Sequence, residues 1–250
     1  MAGHSKWAQI KRQKSMMDVR RGQLFTKLGR EITVAARQGV PDPEVNVRLR
    51  LAIQRAREHN MPQETIERAI KRAIGATEEG GHLEEIMYEG YGPGGAAILV
   101  EAMTDNRNRT AAEVRNVFNR HGGTLGEAGS VAWMFKQRGL ITIPLNGGNA
   151  EEITLQAIDA GADDVQEDDG VLEVYTEPAA LDEVRRALEQ QGVKISSAEL
   201  TYVPISTITL DDTKALQVMR LIERLEELDD VQKVHTNLEI TEQLVEQVAS

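Results

Sequence analysis

A cluster of cationic side chains and one tryptophan lies near the start of the chain. It comprises Lys6, Trp7, Lys11, Arg12 and Lys14. Cationic side chains neutralise phosphates and release their counterions, and an exposed indole can stack on a base. The cluster therefore predicts contact with nucleic acid. A solvated arm with Trp7 packed against the following helices is the alternative that the same composition allows.

Further cations follow on two predicted helices. On the first, four of them are separated by seven, three and seven residues, so they form one stripe beside the apolar face. Two more repeat this pattern on the second helix, and a seventh adjoins the stripe. In chain order the seven are Arg20, Arg21, Lys27, Arg30, Arg37, Arg48 and Arg55. Few carboxylates are placed to pair with them at i+4, so we expect a basic surface rather than ordinary solvated helix faces.

The charge of the whole chain is distributed very unevenly. Residues 1–75 hold 16 lysines and arginines and 7 acids, a net charge of +9, whereas the remainder carries −20, giving −11 for the protein. This asymmetry predicts that the N-terminal part meets a polyanion and that the acidic remainder is repelled by it.

Residues 104–110 are dense in side chains that can bind backbone or ligand. Asp105, Asn106 and Thr110 can cap the helix predicted from Thr110, and Thr110 with Glu113 matches a capping box. Capping does not explain the presence of Arg107 and Arg109. These two arginines could contact a phosphate or an acidic partner.

Residues 90–95 satisfy the dinucleotide-binding pattern G-x-G-x-x-G. That site requires a helix after the glycines, because the helix N-terminus binds the phosphates. Here the apolar run of residues 96–100 follows, which is typical of a buried strand. We therefore predict a hairpin turn.

Catalytic and metal-binding patterns are not recognisable. The chain has no cysteine, and its five histidines (His4, His59, His82, His121 and His235) have no metal-ligand spacing. We predict a protein that is not an enzyme and that has no cofactor, metal or small-molecule substrate. No apolar run is long enough to span a bilayer, and we expect a cytoplasmic protein that does not contact membranes.

The periodicity of the chain changes twice. Residues 1–75 predict a basic arm and a three-helix bundle, 76–83 a linker, and 139–203 the order β-α-β-β-α-β of a ferredoxin-like domain. The flanking segments, 84–138 and 204–250, each lack the elements to cover a sheet, so we expect one split α/β domain with the 139–203 domain inserted in it. Consecutive domains are the alternative. Within these segments we predict that the second helix begins at about Glu44, that Ile66, Ile70 and Ile74 form the apolar stripe of the third helix, and that residues 130–135 and 205–210 form strands. The predicted class is α+β multidomain, with an N-terminal bundle and two ferredoxin-like α/β domains.

Several blocks of the sequence closely resemble the YebC family. They cover most of the chain up to Phe135 and comprise residues 2–7, 21–28, 30–37, 60–62, 66–70, 88–95, 104–110 and 129–135. The resemblance implies a cytoplasmic protein with a helical N-terminal domain and two α/β domains, one inserted in the other. It also implies a probable transcriptional regulator that binds DNA.

Other family members, including the mitochondrial translational activator of cytochrome c oxidase, resemble ribosome-associated factors that ease translation of proline-rich stretches. The resemblance thus leaves an rRNA-binding translation factor as the alternative function. Phosphate contacts carry no base information, so the cations alone do not separate DNA from rRNA. A protein partner on the acidic domains is a further expectation.

Overall fold

The computed structural model describes residues 18–75, 83–145, 148–168, 170–241 and 244, with side chains described from residue 21 onward. The described chain divides into two compact units. Of the described residues, one unit contains 134–145, 148–168, 170–209, 239–241 and 244, and the other contains 18–75, 83–133 and 210–238. The three-domain division at residues 75, 138 and 203 stays a prediction.

Three helices form the N-terminal part of the described chain: α1 (Asp18–Gln38), α2 (Val47–Glu58) and α3 (Gln63–Ile74). Their apolar faces meet in one core that includes Leu28, Ile32, Leu49, Ile53 and Ile66. This confirms the predicted bundle.

Two details of the predicted bundle are wrong. The second helix begins at Val47 and not near Glu44, because the Asn46 side chain caps it by accepting a hydrogen bond from the Leu49 N–H. Ile74, expected on the apolar stripe, is 60% exposed, and Ala69 and Ala73 occupy the buried face instead.

The predicted split α/β domain contains β1 (Glu84–Tyr91), β2 (Ala97–Thr104), α4 (Arg107–Arg120) and β3 (Thr124–Leu125) before the predicted insertion. After it come α7 (Asp212–Glu226) and β8 (Val231–Thr236). The sheet has the order β3-β1-β2-β8 with antiparallel neighbours, so β8 completes a sheet begun far earlier in the chain. The Asn237 side chain, just after β8, accepts a hydrogen bond from the Ala97 N–H. The two central strands β1 and β2 are joined directly as a hairpin.

The predicted inserted domain follows the ferredoxin-like order. It comprises β4 (Phe135–Pro144), α5 (Ala150–Asp159), β5 (Asp164–Asp168), β6 (Val171–Thr176), α6 (Leu181–Gln190) and β7 (Ser197–Pro204). Its strands are arranged β5-β6-β4-β7, all antiparallel. The predicted fold class is confirmed.

Some predicted elements differ from those observed. The predicted strand at residues 130–135 is wrong for all but its last residue: the chain makes a short 3₁₀ turn over Ala132–Met134, and β4 begins at Phe135. Residues 205–210 are irregular apart from one bridge residue, and the sequence does not predict the short strand β3. None of the helices in the described part of the chain has the length and apolar character that crossing a bilayer requires.

Candidate nucleic-acid interface

Part of the predicted interface lies outside the described residues. Lys6, Trp7, Lys11, Arg12 and Lys14 fall there, and the Arg20 side chain is likewise not described. Arg21 is exposed on the first turns of α1, and its guanidinium lies 5.4 Å from the centre of the Phe25 ring.

Lys27 and Arg30, in the middle of the predicted stripe, contact the segment that joins α7 to β8. The Lys27 Nζ donates to the Glu226 carbonyl at 2.6 Å. Arg30 Nη1 donates to the Asp229 carbonyl at 2.7 Å and to Asp230 Oδ1 at 2.6 Å. Both cations therefore bind acceptors within the protein.

Asp230 is the centre of this contact, and its side chain is only 3% exposed. Its Oδ2 accepts hydrogen bonds from Arg109 Nη2 at 2.8 Å, from Thr110 Oγ1 at 2.6 Å and from Thr104 Oγ1 at 3.0 Å. Burial alone would raise the pKa of Asp230, but these donors and the charge of Arg30 outweigh it and hold the pKa below its usual value. The carboxylate is thus kept ionised between two arginines.

The remaining predicted cations of the bundle include two with acidic partners. Arg48 pairs with Glu85 of β1 through both of its terminal nitrogens and also contacts Gln38. Burial lowers the pKa of Arg48, but the hydrogen bonds and charge of Glu85 outweigh this and raise it above its ordinary value. Arg55 lies 3.4 Å from Glu31 of α1.

Arg37 and Arg107 line one cleft, of about 640 Å³, between α1 and the start of β1. Glu84 and Glu85 line it too, and Arg107 lies 3.5 Å from Glu84. The cleft therefore has mixed charge and is not a simple anion site.

The two cations of the predicted polar loop, Arg107 and Arg109, lie in the first turn of α4 and have different surroundings. Asn106 caps the helix by accepting a hydrogen bond from the Arg109 N–H, and Thr110 lies buried inside the helix, so the expected Thr110–Glu113 capping box is wrong. Arg109 pairs with Asp230 and Asp105, whose hydrogen bonds raise its pKa. Arg107 remains largely in solvent, with its side chain 68% exposed.

The bundle also exposes cations that the sequence did not single out. They lie at the end of α2 and along α3, and comprise Arg57, Arg68, Lys71 and Arg72. Arg68 pairs with Glu64 at 2.8 Å. The sequence does not reveal that these side chains are exposed, because helical spacing alone does not tell which row of cations an acidic segment will cover.

The Gly-rich segment is a hairpin turn, as predicted. Gly94 and Gly95 have φ of 71° and 83°, and the backbone runs directly into β2. Gly90 permits close packing, since a Cβ there would lie 2.7 Å from the Phe118 ring of α4.

Glu89 of β1 organises the loop that follows β3. Its buried carboxylate accepts hydrogen bonds from the backbone N–H groups of Gly129, Val131 and Ala132, each at 2.7 Å. Burial would raise the pKa of Glu89, but the three donors lower it overall. The loop presents Trp133, which is 67% exposed and donates its indole N–H to the Ser130 carbonyl.

Groups of three or more acidic or histidine side chains placed to hold a metal are absent from the described ranges.

Residues 5–76 match the family described as "TACO1/YebC protein N-terminal domain", and residues 83–238 match "TACO1/YebC second and third domain". The chain belongs to the TACO1/YebC family.

Relatives in this family are similar over their whole length. One from Chloroflexus aggregans is 58% identical and covers 100% of both chains, and one from Moorella thermoacetica is 56% identical over 99% of each. Both are named probable transcriptional regulatory protein. The crystal structure of a conserved hypothetical protein from Aquifex aeolicus superposes with a TM-score of 0.84 at 51% identity, over 90% of this chain and 93% of that one.

Proposed function

We propose that this TACO1/YebC protein is a DNA-binding transcriptional regulator without catalytic activity, and that it acts in the cytoplasm. The observation that carries the proposal is the +9 charge of residues 1–75 within a protein of net charge −11. The names of the full-length relatives as probable transcriptional regulatory proteins support the same function.

The contacts within the bundle narrow the choice of DNA-binding residues. Lys27, Arg30, Arg48 and Arg55 have acidic or carbonyl partners in the protein, so their predicted role at phosphates requires exchange of those partners. Lys6, Lys11, Arg12 and Lys14 keep their predicted role, and Arg21, Lys71 and Arg72 are the stronger candidates among the exposed cations of the described bundle. Trp7 is proposed to stack on a base or to anchor the segment.

Salt titration of DNA binding tests this assignment. Replacing Lys11, Arg12 and Lys14 together by Gln should lower the slope of log Kd against log salt by about 0.9 for each phosphate of duplex DNA that is no longer neutralised. The matched control replaces Arg138, Arg186 and Lys194 of the predicted inserted domain by Gln, which removes the same charge. Equal salt slopes for the two triple variants would show that Lys11, Arg12 and Lys14 do not contact DNA phosphates.

A ribosome-associated factor that binds rRNA and eases translation of proline-rich stretches is the second candidate. The family description itself joins TACO1 to YebC, and the same cations would bind rRNA phosphates. Crosslinking in cells followed by sequencing of the bound nucleic acid separates the two. Enrichment of promoter DNA supports the regulator, and enrichment of rRNA supports the translation factor.

An acidic protein scaffold is a third class of function. It predicts that a protein partner is retained when residues 1–75 are deleted. Retention of that partner together with unchanged transcription and translation would contradict both nucleic-acid proposals.

A further inference from the structure

Helix α4 differs in charge from the acidic part of the chain around it. It carries four arginines and one glutamate over Arg107–Arg120, a net charge of +3, whereas residues 76–250 together carry −20. A basic helix weakens the repulsion that the surrounding acidic residues exert on a polyanion. It therefore points to a binding surface.

The helix has one buried and one exposed side. Thr110, Val114 and Phe118 are buried at spacings of four, which fixes the inner side against the sheet. The opposite side is exposed and is here called the α4 outer face, which comprises Asn108, Ala112, Arg115, Asn116, Asn119 and Arg120. No carboxylate belongs to it, because the one acid of the helix, Glu113, is half-buried at its margin.

The cations of this face have no acidic partner in the described ranges. Arg115 and Arg120 form no ion pair there, in contrast to Arg109, which pairs with Asp105 and Asp230. Helix α7 packs beside α4, and its exposed residues include Asp212 as well as Thr213, Gln217 and Arg220. The α4 outer face itself thus presents cations and amides, and no carboxylate, to solvent.

These side-chain types are the ones that proteins use to bind DNA. Arginine binds phosphates and guanine, asparagine pairs with adenine, and a small side chain such as alanine allows close approach to a thymine methyl. From Asn108 to Arg120 the helix runs about 18 Å, and its diameter fits the major groove of B-DNA. The deep, narrow major groove of duplex RNA does not admit a helix.

We propose that the α4 outer face is a second DNA-binding surface, which contacts duplex DNA through phosphates at Arg115 and Arg120 and through base edges and backbone at the three asparagines. This inference rests on the proposed function, since residues 1–75 would bring the protein to the same DNA. It adds a site in the acidic part of the chain that can recognise sequence.

Two double variants of the full-length protein test the surface. R115Q/R120Q should lower the salt slope of duplex binding by about 1.8, because two phosphates are no longer neutralised. N116A/N119A should weaken binding about tenfold at constant salt. Alanine is the better helix former, so the thermal midpoint of N116A/N119A should be unchanged or higher, which separates an effect on binding from an effect on folding.

The matched control is R186Q/K194Q, which removes two exposed cations from the predicted inserted domain. Weaker binding by both α4 variants but not by the control supports the second surface. If the α4 variants bind as the control does while wild type binds DNA, the inference is overturned and the proposed function stands. If wild type binds no duplex DNA, both fail. Equal weakening on duplex DNA and on duplex RNA of the same sequence overturns the assignment to DNA.

Discussion

Asp230 is the residue with the densest set of polar contacts described above. It binds Arg30, Arg109, Thr104 and Thr110 and joins the bundle to the sheet of β1, β2, β3 and β8. A buried carboxylate that is fully hydrogen-bonded contributes little over an apolar core, but its partners are costly to leave unpaired. The contact is therefore better understood as specifying one docking position for α1 than as a large source of stability.

Asp230→Asn tests this role of the carboxylate. The amide removes the charge and turns an NH₂ group toward donors, so the free energy of unfolding should fall by about 3 kcal/mol. Urea unfolding at pH 7 measures this decrease. Asp229→Asn is the control, because only the backbone carbonyl of Asp229 binds Arg30 and its side chain is exposed. A similar decrease in both variants would contradict the role of the buried carboxylate.

Glu89→Gln should make the stability of the protein less dependent on pH. The folded pKa of Glu89 lies below its ordinary value of 4.5, so its contribution is complete above that pH and is lost as the pH falls through the folded value. At pH 7 the variant should lose about 2 kcal/mol, since three N–H groups lose a charged acceptor.

The measurement for Glu89→Gln is urea unfolding of both proteins at several pH values between 7 and 3. The difference in unfolding free energy should stay constant above the ordinary pKa and shrink below it. A difference that keeps its full size down to the lowest pH would show that the charge of Glu89 is not what holds the loop.

The hairpin between β1 and β2 requires glycine for its backbone conformation. Gly94 and Gly95 both have positive φ, but only at Gly94 would a Cβ meet a neighbour, Leu210, at 2.7 Å. Gly95→Ala should cost about 1 kcal/mol through backbone strain alone, and Gly94→Ala about 2 kcal/mol because Leu210 must also move. Thermal unfolding of the two variants provides the comparison, and equal midpoints would contradict it.

Most elements could be predicted from the sequence because their signals are local. Helical periodicity and the β-α-β-β-α-β order need only neighbouring residues. The strand prediction for residues 130–135 is wrong because their conformation depends on Glu89, which is 40 residues away from Gly129. Residues 205–210 have the alternating composition of a strand but pair through a single residue.

At the scale of the whole molecule, the sequence shows that residues 1–75 are basic and the remainder is acidic. It does not show which cations of the first part pair with acids of the second. The spacing of Lys27, Arg30 and Arg37 predicts one row on a helix, and all three residues lie on α1. Which cations face acids of the same protein depends on tertiary contacts across about 200 residues, as between Arg30 and Asp230. The basic and acidic parts are therefore joined by ion pairs in the folded protein, in addition to differing in net charge.

The position of Asp230 along the chain has a consequence for synthesis. A polypeptide emerges from its N-terminus, and domains generally fold as they are completed. The helices of the bundle and residues 134–209 precede Asp230, so we expect both to begin folding before the acceptors of Lys27 and Arg30 in the α7–β8 segment are synthesised. The nascent protein therefore displays more cationic surface than the finished one, and the arrival of the α7–β8 segment determines when that surface is withdrawn.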